Sequence, residues 1–358
     1  MRAEHGSRID ARFPRDGKAA HASTRATNPT ETRVEPATRA CDALRPRMRL
    51  VFLGSPPFAV PVLERVLASS HTTAALVTPP DKPRGRGMKV EPSPLVVLAE
   101  ARGIPVVQPA TTKDPAFVDA LRGFQPEVLL VASYGEILRR EVLELAPHGA
   151  LNVHASLLPR WRGASPIQAA ILSGDAETGV CVQRMVLALD EGDVLVERAT
   201  AIGEHENAGE LLQRLARLGG DVALEALDAL ERGTARFTPQ DPARVTFARK
   251  IPKERGWIDW SKSALDVDRH IRAFTPWPGA RTLLAGAEVA LLAARPRADV
   301  ELTPRAPGSI VATKHELLVA CGTGTLQVVK LKPAGKGAVD ADAWLRGARL
   351  APDARFGA

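Results

Sequence analysis

The chain has 358 residues, of which 45% are hydrophobic, and this length predicts two domains that each bury a core. Three scattered cysteines (Cys41, Cys181 and Cys321) exclude a disulfide framework and a cysteine-rich metal site, and they indicate a reducing, cytoplasmic compartment. No apolar run approaches the roughly 18 residues of a membrane span, so we predict no membrane-spanning segment.

The net charge of +7 is unevenly distributed along the chain. Residues 1–47 contain ten basic and six acidic residues, residues 48–248 contain 20 and 24, and residues 249–358 contain 18 and 11. An acidic middle with a basic end is typical of chains that contact nucleic acid or a membrane surface. The simpler interpretation, a soluble protein with a basic surface, stays open on charge alone.

The first 47 residues differ from the rest of the chain. They show no apolar periodicity, they lack the apolar segment of a secretory signal, and their acidic residues argue against a transit peptide. At Met48 the pattern changes, and residues 48–54 have the composition of a strand that ends at a glycine turn. We predict that residues 1–47 are a disordered extension or a mis-assigned start, with Met48 as the natural first residue.

Strands and helices alternate after Met48. We predict strands at residues 50–53, 73–77, 105–107, 127–132, 150–153, 180–186 and 194–201, and helices at residues 58–69, 94–102, 115–121, 136–145 and 208–231. The run at 127–132 is mostly apolar, as in a parallel strand buried on both faces. This alternation predicts an α/β, Rossmann-like, doubly wound domain over residues 48–235.

The composition changes again after residue 235. Pro239 and Pro242 mark a linker that we place at residues 236–249. Strand-like runs separated by Gly and Pro turns follow at residues 288–293, 309–312, 316–319 and 326–331. This spacing predicts that the basic second domain, residues 250–358, is a small OB-like β-barrel or a sandwich.

The loop after the first strand does not carry a dinucleotide-binding fingerprint. It reads Gly54-Ser-Pro-Pro-Phe58, whereas that fingerprint is G-x-G-x-x-G. The other glycine-rich stretch, Gly85-Arg-Gly87, lies among arginines and follows the second predicted strand. A nicotinamide-dependent oxidoreductase is therefore disfavoured.

The densest group of polar residues is the run 151–163, Leu-Asn-Val-His-Ala-Ser-Leu-Leu-Pro-Arg-Trp-Arg-Gly. Asn152 and His154 are two residues apart on a predicted strand, so their side chains lie on one face. An amide donor beside an imidazole suits acyl transfer, in which a carbonyl oxygen becomes negative and protons must move. The competing interpretation is a turn asparagine and a buried, hydrogen-bonded histidine.

Asp190 lies in a second polar segment, the turn Leu189-Asp-Glu-Gly-Asp-Val194. By itself this segment is an ordinary hairpin turn between two apolar runs. Together with Asn152 and His154, however, Asp190 can orient the imidazole or stabilise its charge. Neither a metal-ligand spacing nor a Ser or Cys nucleophile elbow accompanies these residues, so we predict a site without metal.

These motifs resemble those of the folate-dependent formyltransferases. The resemblance rests on Asn-Val-His-Ala-Ser-Leu-Leu-Pro (152–159) and Leu-Asp-Glu-Gly-Asp (189–193). It extends to Gly54-Ser-Pro-Pro-Phe58, residues 80–90, Tyr134-Gly135, Trp161-Arg-Gly163, residues 174–179, Ile258-Asp-Trp260, Ile271-Arg-Ala-Phe274 and Pro333-Ala-Gly-Lys336. It covers roughly residues 48–349 and points to the branch that formylates methionine esterified to initiator tRNA.

The resemblance implies that Asn152, His154 and Asp190 are the catalytic set, with 10-formyltetrahydrofolate as co-substrate and no tightly bound cofactor. Asn152 would donate to the developing oxyanion, and His154 would polarise the same carbonyl or carry a proton. Asp190 would hold His154 and help to move the proton released by the attacking amine. The segment that would line the folate is Ser156, Leu157, Leu158 and Pro159.

The resemblance also implies a monomer that binds initiator methionyl-tRNA. A basic loop would reach the acceptor stem, because guanidinium groups pair with phosphates and base edges. The residues of this loop are Lys82, Arg84, Arg86 and Lys89. The second domain would hold tRNA phosphates through Lys330, Lys332 and Lys336.

Two alternatives stay open from the sequence. A sibling formyltransferase acting on a sugar nucleotide or a glycinamide ribonucleotide would share Asn152, His154 and Asp190, but it would not need a basic second domain. A non-enzymatic nucleic-acid-binding protein would leave the run 152–159 unexplained. Activity with charged tRNA, and none with uncharged tRNA or free methionine, distinguishes the tRNA enzyme from both.

Overall fold

The computed structural model describes residues 47–84, 89–302 and 305–357. The predicted extension, apart from Arg47, and the predicted contact residue Arg86 lie outside these residues. In the part of the chain that is described, no helix is long and apolar enough to cross a membrane.

The first domain is built on a seven-stranded sheet of order β10-β9-β7-β6-β1-β2-β5. The strands of this domain are β1 (Arg49–Gly54), β2 (Thr72–Val77), β3 (Pro83–Arg84), β4 (Lys89–Val90), β5 (Val106–Val107), β6 (Val128–Ala132), β7 (Ala150–His154), β8 (Arg162–Gly163), β9 (Glu177–Arg184) and β10 (Val194–Ala201). Strands β5, β2, β1, β6 and β7 run parallel, whereas β9 and β10 pair antiparallel. The predicted doubly wound α/β architecture is confirmed.

Three of the six helices described in this domain begin at side-chain caps that the sequence supplies. The six helices are α1 (Ala59–Leu67), α2 (Pro94–Glu100), α3 (Pro115–Gly123), α4 (Arg140–Leu143), α5 (Pro166–Ser173) and α6 (Ala208–Glu231). Ser93 and Asp114 each accept a backbone N–H and precede a proline at the first helical position. Asn207 and Glu210 form a reciprocal capping box that starts α6 at the predicted residue.

The prediction of a helix over residues 136–145 was wrong in extent. Only Arg140–Leu143 is helical. The carbonyl of Ile137 accepts a hydrogen bond from the Thr112 hydroxyl (3.0 Å), so it is engaged outside any helical ladder. Leu138 is buried in the core while Ile137 is 84% exposed, so this segment is a loop that anchors one side chain in the core.

Apolar side chains cover both faces of the sheet. On β1, Leu50 and Phe52 pack with residues of α1 and α6, whereas Val51 and Leu53 pack with Phe117 of α3 on the other face. Two-sided burial explains why these strands are continuously apolar instead of alternating.

The second domain is an antiparallel sheet of order β12-β13-β16-β15-β14, with β17 paired to β16. Strand β11 (Phe247–Ala248) precedes this domain, whose strands are β12 (Ala280–Leu284), β13 (Ala287–Arg297), β14 (Ile310–Ala312), β15 (Leu317–Ala320), β16 (Thr325–Pro333) and β17 (Val339–Asp340). Near the chain end, Arg355 bridges to Ser309 and Phe356 bridges to Leu284. This segment therefore joins the β14 and β12 sides of the sheet, in agreement with the prediction of a small, OB-like β domain.

Sequence analysis missed two helices of this domain, α7 (Ala264–Phe274) and α8 (Ala341–Leu345). The signal for α7 was present, because Ala264, Val267, Ile271 and Phe274 recur at helical spacing and all are buried. Helix α7 contacts both α5 and β13, so the apolar cores of the two domains are continuous through it.

His71 ties the start of β1 to α6 and makes stability depend on pH. Its buried ring accepts the Met48 N–H at Nδ1 (2.9 Å) and donates from Nε2 to Asp228 Oδ1 (3.2 Å). Burial lowers the pKa of His71 below 6.5, although Asp228 opposes the shift. Because the unfolded chain protonates His71 more readily than the folded chain does, the neutral ring contributes its full stability above about pH 6.5. This contribution is lost as the pH falls toward the lower pKa of the folded state.

We therefore expect the melting temperature to fall as pH is lowered from about 7 to about 5, more steeply than in His71→Asn, which keeps an acceptor for Met48. If the unfolded state binds one proton more than the folded state, the free energy of unfolding changes by about 1.4 kcal/mol per pH unit. In His71→Asn the dependence of the melting temperature on pH should be weaker but still present, because burial also lowers the pKa of His270. Thermal unfolding of both proteins over this range checks the prediction, and equal slopes would contradict it.

Candidate active site

Asn152 and His154 lie on β7, near the carboxyl ends of the parallel strands. Their side chains share one face of the sheet, and the antiparallel neighbour β9 places Gln183 opposite Asn152 and Cys181 opposite His154. Asn152 is half-buried, whereas His154 is only 6% exposed. The structure thus brings this predicted pair together at the position where open α/β sheets bind ligands.

Both ring nitrogens of His154 face protein oxygens. Nε2 lies 3.0 Å from the carbonyl oxygen of Trp161, and because a carbonyl only accepts, Nε2 donates and carries a proton. Nδ1 lies 3.7 Å from Asp190 Oδ1. This distance is longer than a hydrogen bond, and it leaves Nδ1 as the ring position that can gain a proton next to a carboxylate.

Asp190 connects the predicted residues through one carboxylate. Its Oδ2 accepts the Gly163 N–H (2.8 Å), and its Oδ1 accepts the Gln183 amide (2.9 Å) and, at 3.4 Å, the Asn152 amide. The Asp190 backbone has a φ of 51°, a left-handed conformation that a turn must hold in place. The Gly163 and Gln183 donors therefore fix the carboxylate beside His154, and Asn152 makes a longer third contact.

Two glutamines of this site were missed by sequence analysis. Gln183 is fully buried under Asp190 and donates to it, and Gln240 reaches the same turn from the predicted linker. Gln183 is separated from Asn152 by many residues and meets it only through the register of β7 with β9. The sequence carried no local signal for either contact.

The loop after β7 orients His154 through Trp161. The Trp161 backbone has a φ of 63°, its N–H donates to Thr246 Oγ1 (2.9 Å), and its indole donates to Asp175 Oδ2 (2.8 Å). Arg160 binds Asp175 through two further hydrogen bonds. Burial acts to raise the pKa of Asp175, but hydrogen bonds from Arg160 and Trp161 outweigh it, so this pKa lies below its usual value. An ionised Asp175 thus holds the loop that supplies the carbonyl for His154.

The predicted folate rim is a tight turn with largely buried side chains. The Ser156 hydroxyl donates to the Arg160 carbonyl (2.6 Å), and Leu158 and Pro159 are buried. Leu157 is the half-exposed member of this rim. A ligand here would contact Leu157 and backbone groups more than the other three side chains.

The predicted tRNA contacts fall into two groups. Lys82 is exposed next to the short ribbon in which β3 pairs with β4, and Arg84 and Lys89 belong to the backbone of that ribbon. On the second domain, Lys330 and Lys332 are exposed on the outer face of β16, and Lys336 is exposed in the turn that follows.

The structure also describes the surroundings of Cys181 and Cys321, whereas Cys41 lies outside the described residues. Cys181 and Cys321 are buried and free, and burial raises the pKa of each thiol to about 12, so both are neutral. Within the described ranges, no group of three or more His, Cys, Asp or Glu side chains has a metal-binding arrangement.

Comparison with known proteins identifies the class that this fold and site define. Residues 48–227 match the family described as formyl transferase, and residues 250–349 match the formyl transferase C-terminal domain. The chain belongs to the formyl transferase family.

Two curated relatives and a solved structure refine the comparison. The chain is similar to proteins named methionyl-tRNA formyltransferase from Roseiflexus sp. (43% identity, covering 87% of this chain and 95% of the relative) and Anaeromyxobacter dehalogenans (47%, covering 79% and 91%). HypX from Aquifex aeolicus, solved with tetrahydrofolic acid, shares the fold with a TM-score of 0.58 at 19% identity, covering 84% of this chain and 47% of HypX.

Proposed function

We propose that the chain transfers the formyl group of 10-formyltetrahydrofolate to the α-amine of methionine on initiator methionyl-tRNA, giving formylmethionyl-tRNA for translation initiation. The observation that carries this function is the similarity to curated methionyl-tRNA formyltransferases over nearly their full length, through both domains. The convergence of Asn152, His154 and Asp190 supplies a site that suits formyl transfer.

In this reaction the amine nitrogen bonds to the formyl carbon, the bond from that carbon to the folate nitrogen breaks, and the amine proton moves to the folate nitrogen. Asn152 donates to the formyl oxygen as it becomes negative. Its amide makes only a long contact with Asp190 (3.4 Å), which leaves it free to turn toward a substrate. Loss of one such donor typically costs about 10²–10³ in rate.

Asp190 and His154 transfer the proton that the attacking amine releases. The attacking amine must be neutral, which an α-amino pKa of about 8 permits. Since Nε2 of His154 is engaged by Trp161, the proton enters on the Nδ1 side, in the 3.7 Å gap that faces Asp190. The carboxylate then stabilises the imidazolium until the leaving nitrogen takes the proton.

The substrates are placed by the remaining predicted residues. Ser156, Leu157, Leu158 and Pro159 form a rigid rim against which a flat pterin packs, with no metal and no tightly bound cofactor required. We assign contacts with the acceptor stem to Lys82, Arg84, Arg86 and Lys89. We assign formyl transfer to residues 48–235, the linker to residues 236–249 and binding of the tRNA body to residues 250–358. We propose that the protein acts as a cytoplasmic monomer.

We expect that replacing Lys330, Lys332 and Lys336 together with Gln weakens tRNA binding without changing kcat. Each phosphate contact releases counterions, so the slope of log K against log salt should fall by up to about 0.9 per lysine. The matched control is Arg102→Gln, Lys113→Gln and Arg122→Gln, three exposed cations of the first domain. Binding measured across salt concentrations checks this, and equal slopes in both triple variants would contradict it.

The function itself is tested by a single-turnover assay with 10-formyltetrahydrofolate and charged initiator tRNA. Uncharged tRNA, free methionine and an amino-sugar nucleotide serve as competing acceptors. Formylation of the charged tRNA alone is the expected result. Preferential formylation of the sugar nucleotide would overturn the proposal in favour of a sibling activity.

A further inference from the structure

The predicted linker is bound to the first domain on both sides of Gln240. Thr238 pairs with Val194 through two backbone hydrogen bonds (2.9 and 2.8 Å). Further along, strand β11 (Phe247–Ala248) pairs with β8. Between these anchors Gln240 is half-buried, although Pro239 and Asp241 beside it are exposed. The Gln240 side chain is thus held toward the interior of the first domain.

Gln240 spans the turn that carries Asp190. Its amide nitrogen lies 2.8 Å from the Asp190 carbonyl and 2.7 Å from the Gly192 carbonyl, so its two N–H groups hold the turn at both ends. The same nitrogen lies 3.3 Å from Gln183 Oε1, and the Gln240 oxygen accepts from Arg162 Nε (3.0 Å). Arg162 in turn faces Glu191 of this turn (3.7 Å).

A second contact links the linker with the same carboxylate. Strand β11 pairs with Arg162 and Gly163 in register, and the Gly163 N–H is the donor to Asp190 Oδ2. The position of Asp190 therefore depends on linker residues through its own carbonyl and through its carboxylate.

We propose that Gln240 is a positioning residue for formyl transfer, which holds the left-handed turn of Asp190 so that the carboxylate faces His154. This inference rests on the function proposed above. It makes the linker part of the active-site structure, so the segment that leads to the tRNA-binding domain also sets the geometry of proton transfer.

Two substitutions separate this role from simple packing. Gln240→Met keeps the shape and loses every hydrogen bond, whereas Gln240→Glu keeps an acceptor for Arg162 but loses both N–H donors. We expect both variants to lower kcat about ten- to hundredfold while the KM for charged tRNA stays within about twofold. The matched control is Gln213→Met, the same change at an exposed position of α6.

The outcomes are read from single-turnover rates and KM, with thermal unfolding to show that each variant is folded at the assay temperature. A wild-type rate in Gln240→Glu would overturn the inference, since packing and the Arg162 contact would then suffice. A change in KM alone would also overturn it, because the linker would then act only in binding. If the wild-type chain formylates no charged tRNA, the proposed function fails; if it does and the variants match it, the positioning role alone fails.

Discussion

Replacing His154 with Ala, or Asp190 with Asn, is expected to reduce kcat for formyl transfer at least about a hundredfold while tRNA affinity stays near the wild-type value. The alanine removes the ring whose Nδ1 faces Asp190 Oδ1 at 3.7 Å. The asparagine presents an NH₂ group to either the Gly163 N–H or the Gln183 amide, both of which donate to Asp190. Two hydrogen-bond donors then face each other, and the negative charge of the Asp190 carboxylate is lost.

Single-turnover kinetics and tRNA binding, measured on the same preparations, check this prediction. His315→Ala is the control, because His315 is exposed in the second domain, and it should leave kcat unchanged. If either active-site variant kept more than about a tenth of wild-type turnover, the roles of His154 and Asp190 would be wrong.

The parts of the site that could be predicted are those encoded by local spacing. Asn152 and His154 are two residues apart on a strand, so the sequence alone placed them on one face. The turn of Asp190 is ordinary by itself, so this residue was recognisable only in combination with Asn152 and His154 and from the resemblance. Gln183 and Gln240 were not, because their contacts depend on strand register and on the path of the linker across the first domain.

In the fold too, elements set by local sequence were mostly predicted, whereas elements that depend on tertiary contacts were not. Helix α6 begins and ends at the predicted residues because its capping box and its apolar stripe agree. The segment at 136–145 has helical spacing, yet the tertiary hydrogen bond from Thr112 to Ile137 replaces the helical ladder there. Helix α7 was overlooked since the Gly- and Pro-rich turns around it favoured short strands, although its own apolar spacing is helical.

Gly192 lies in the turn of Asp190 and has no room for a side chain. A Cβ added there would overlap the carbonyl oxygen of Arg184. That carbonyl belongs to β9, which is held in the central sheet against Leu151 of β7, so the turn must move instead of the strand. Movement of Gly192 would withdraw its carbonyl from Gln240 and displace Asp190 from His154.

We therefore expect Gly192→Ala to lower kcat about a hundredfold, since a displacement of about 1 Å at a reacting group has this effect. The strain should also cost about 1–3 kcal/mol of stability, or a melting temperature lower by several degrees. Gly123→Ala is the matched control, because Gly123 ends α3 with open space around it; it should leave kcat unchanged and the melting temperature equal or slightly higher, since alanine favours the helix. Rates are compared well below the lower melting temperature. A wild-type kcat in Gly192→Ala would mean that the position of the Asp190 turn does not govern formyl transfer.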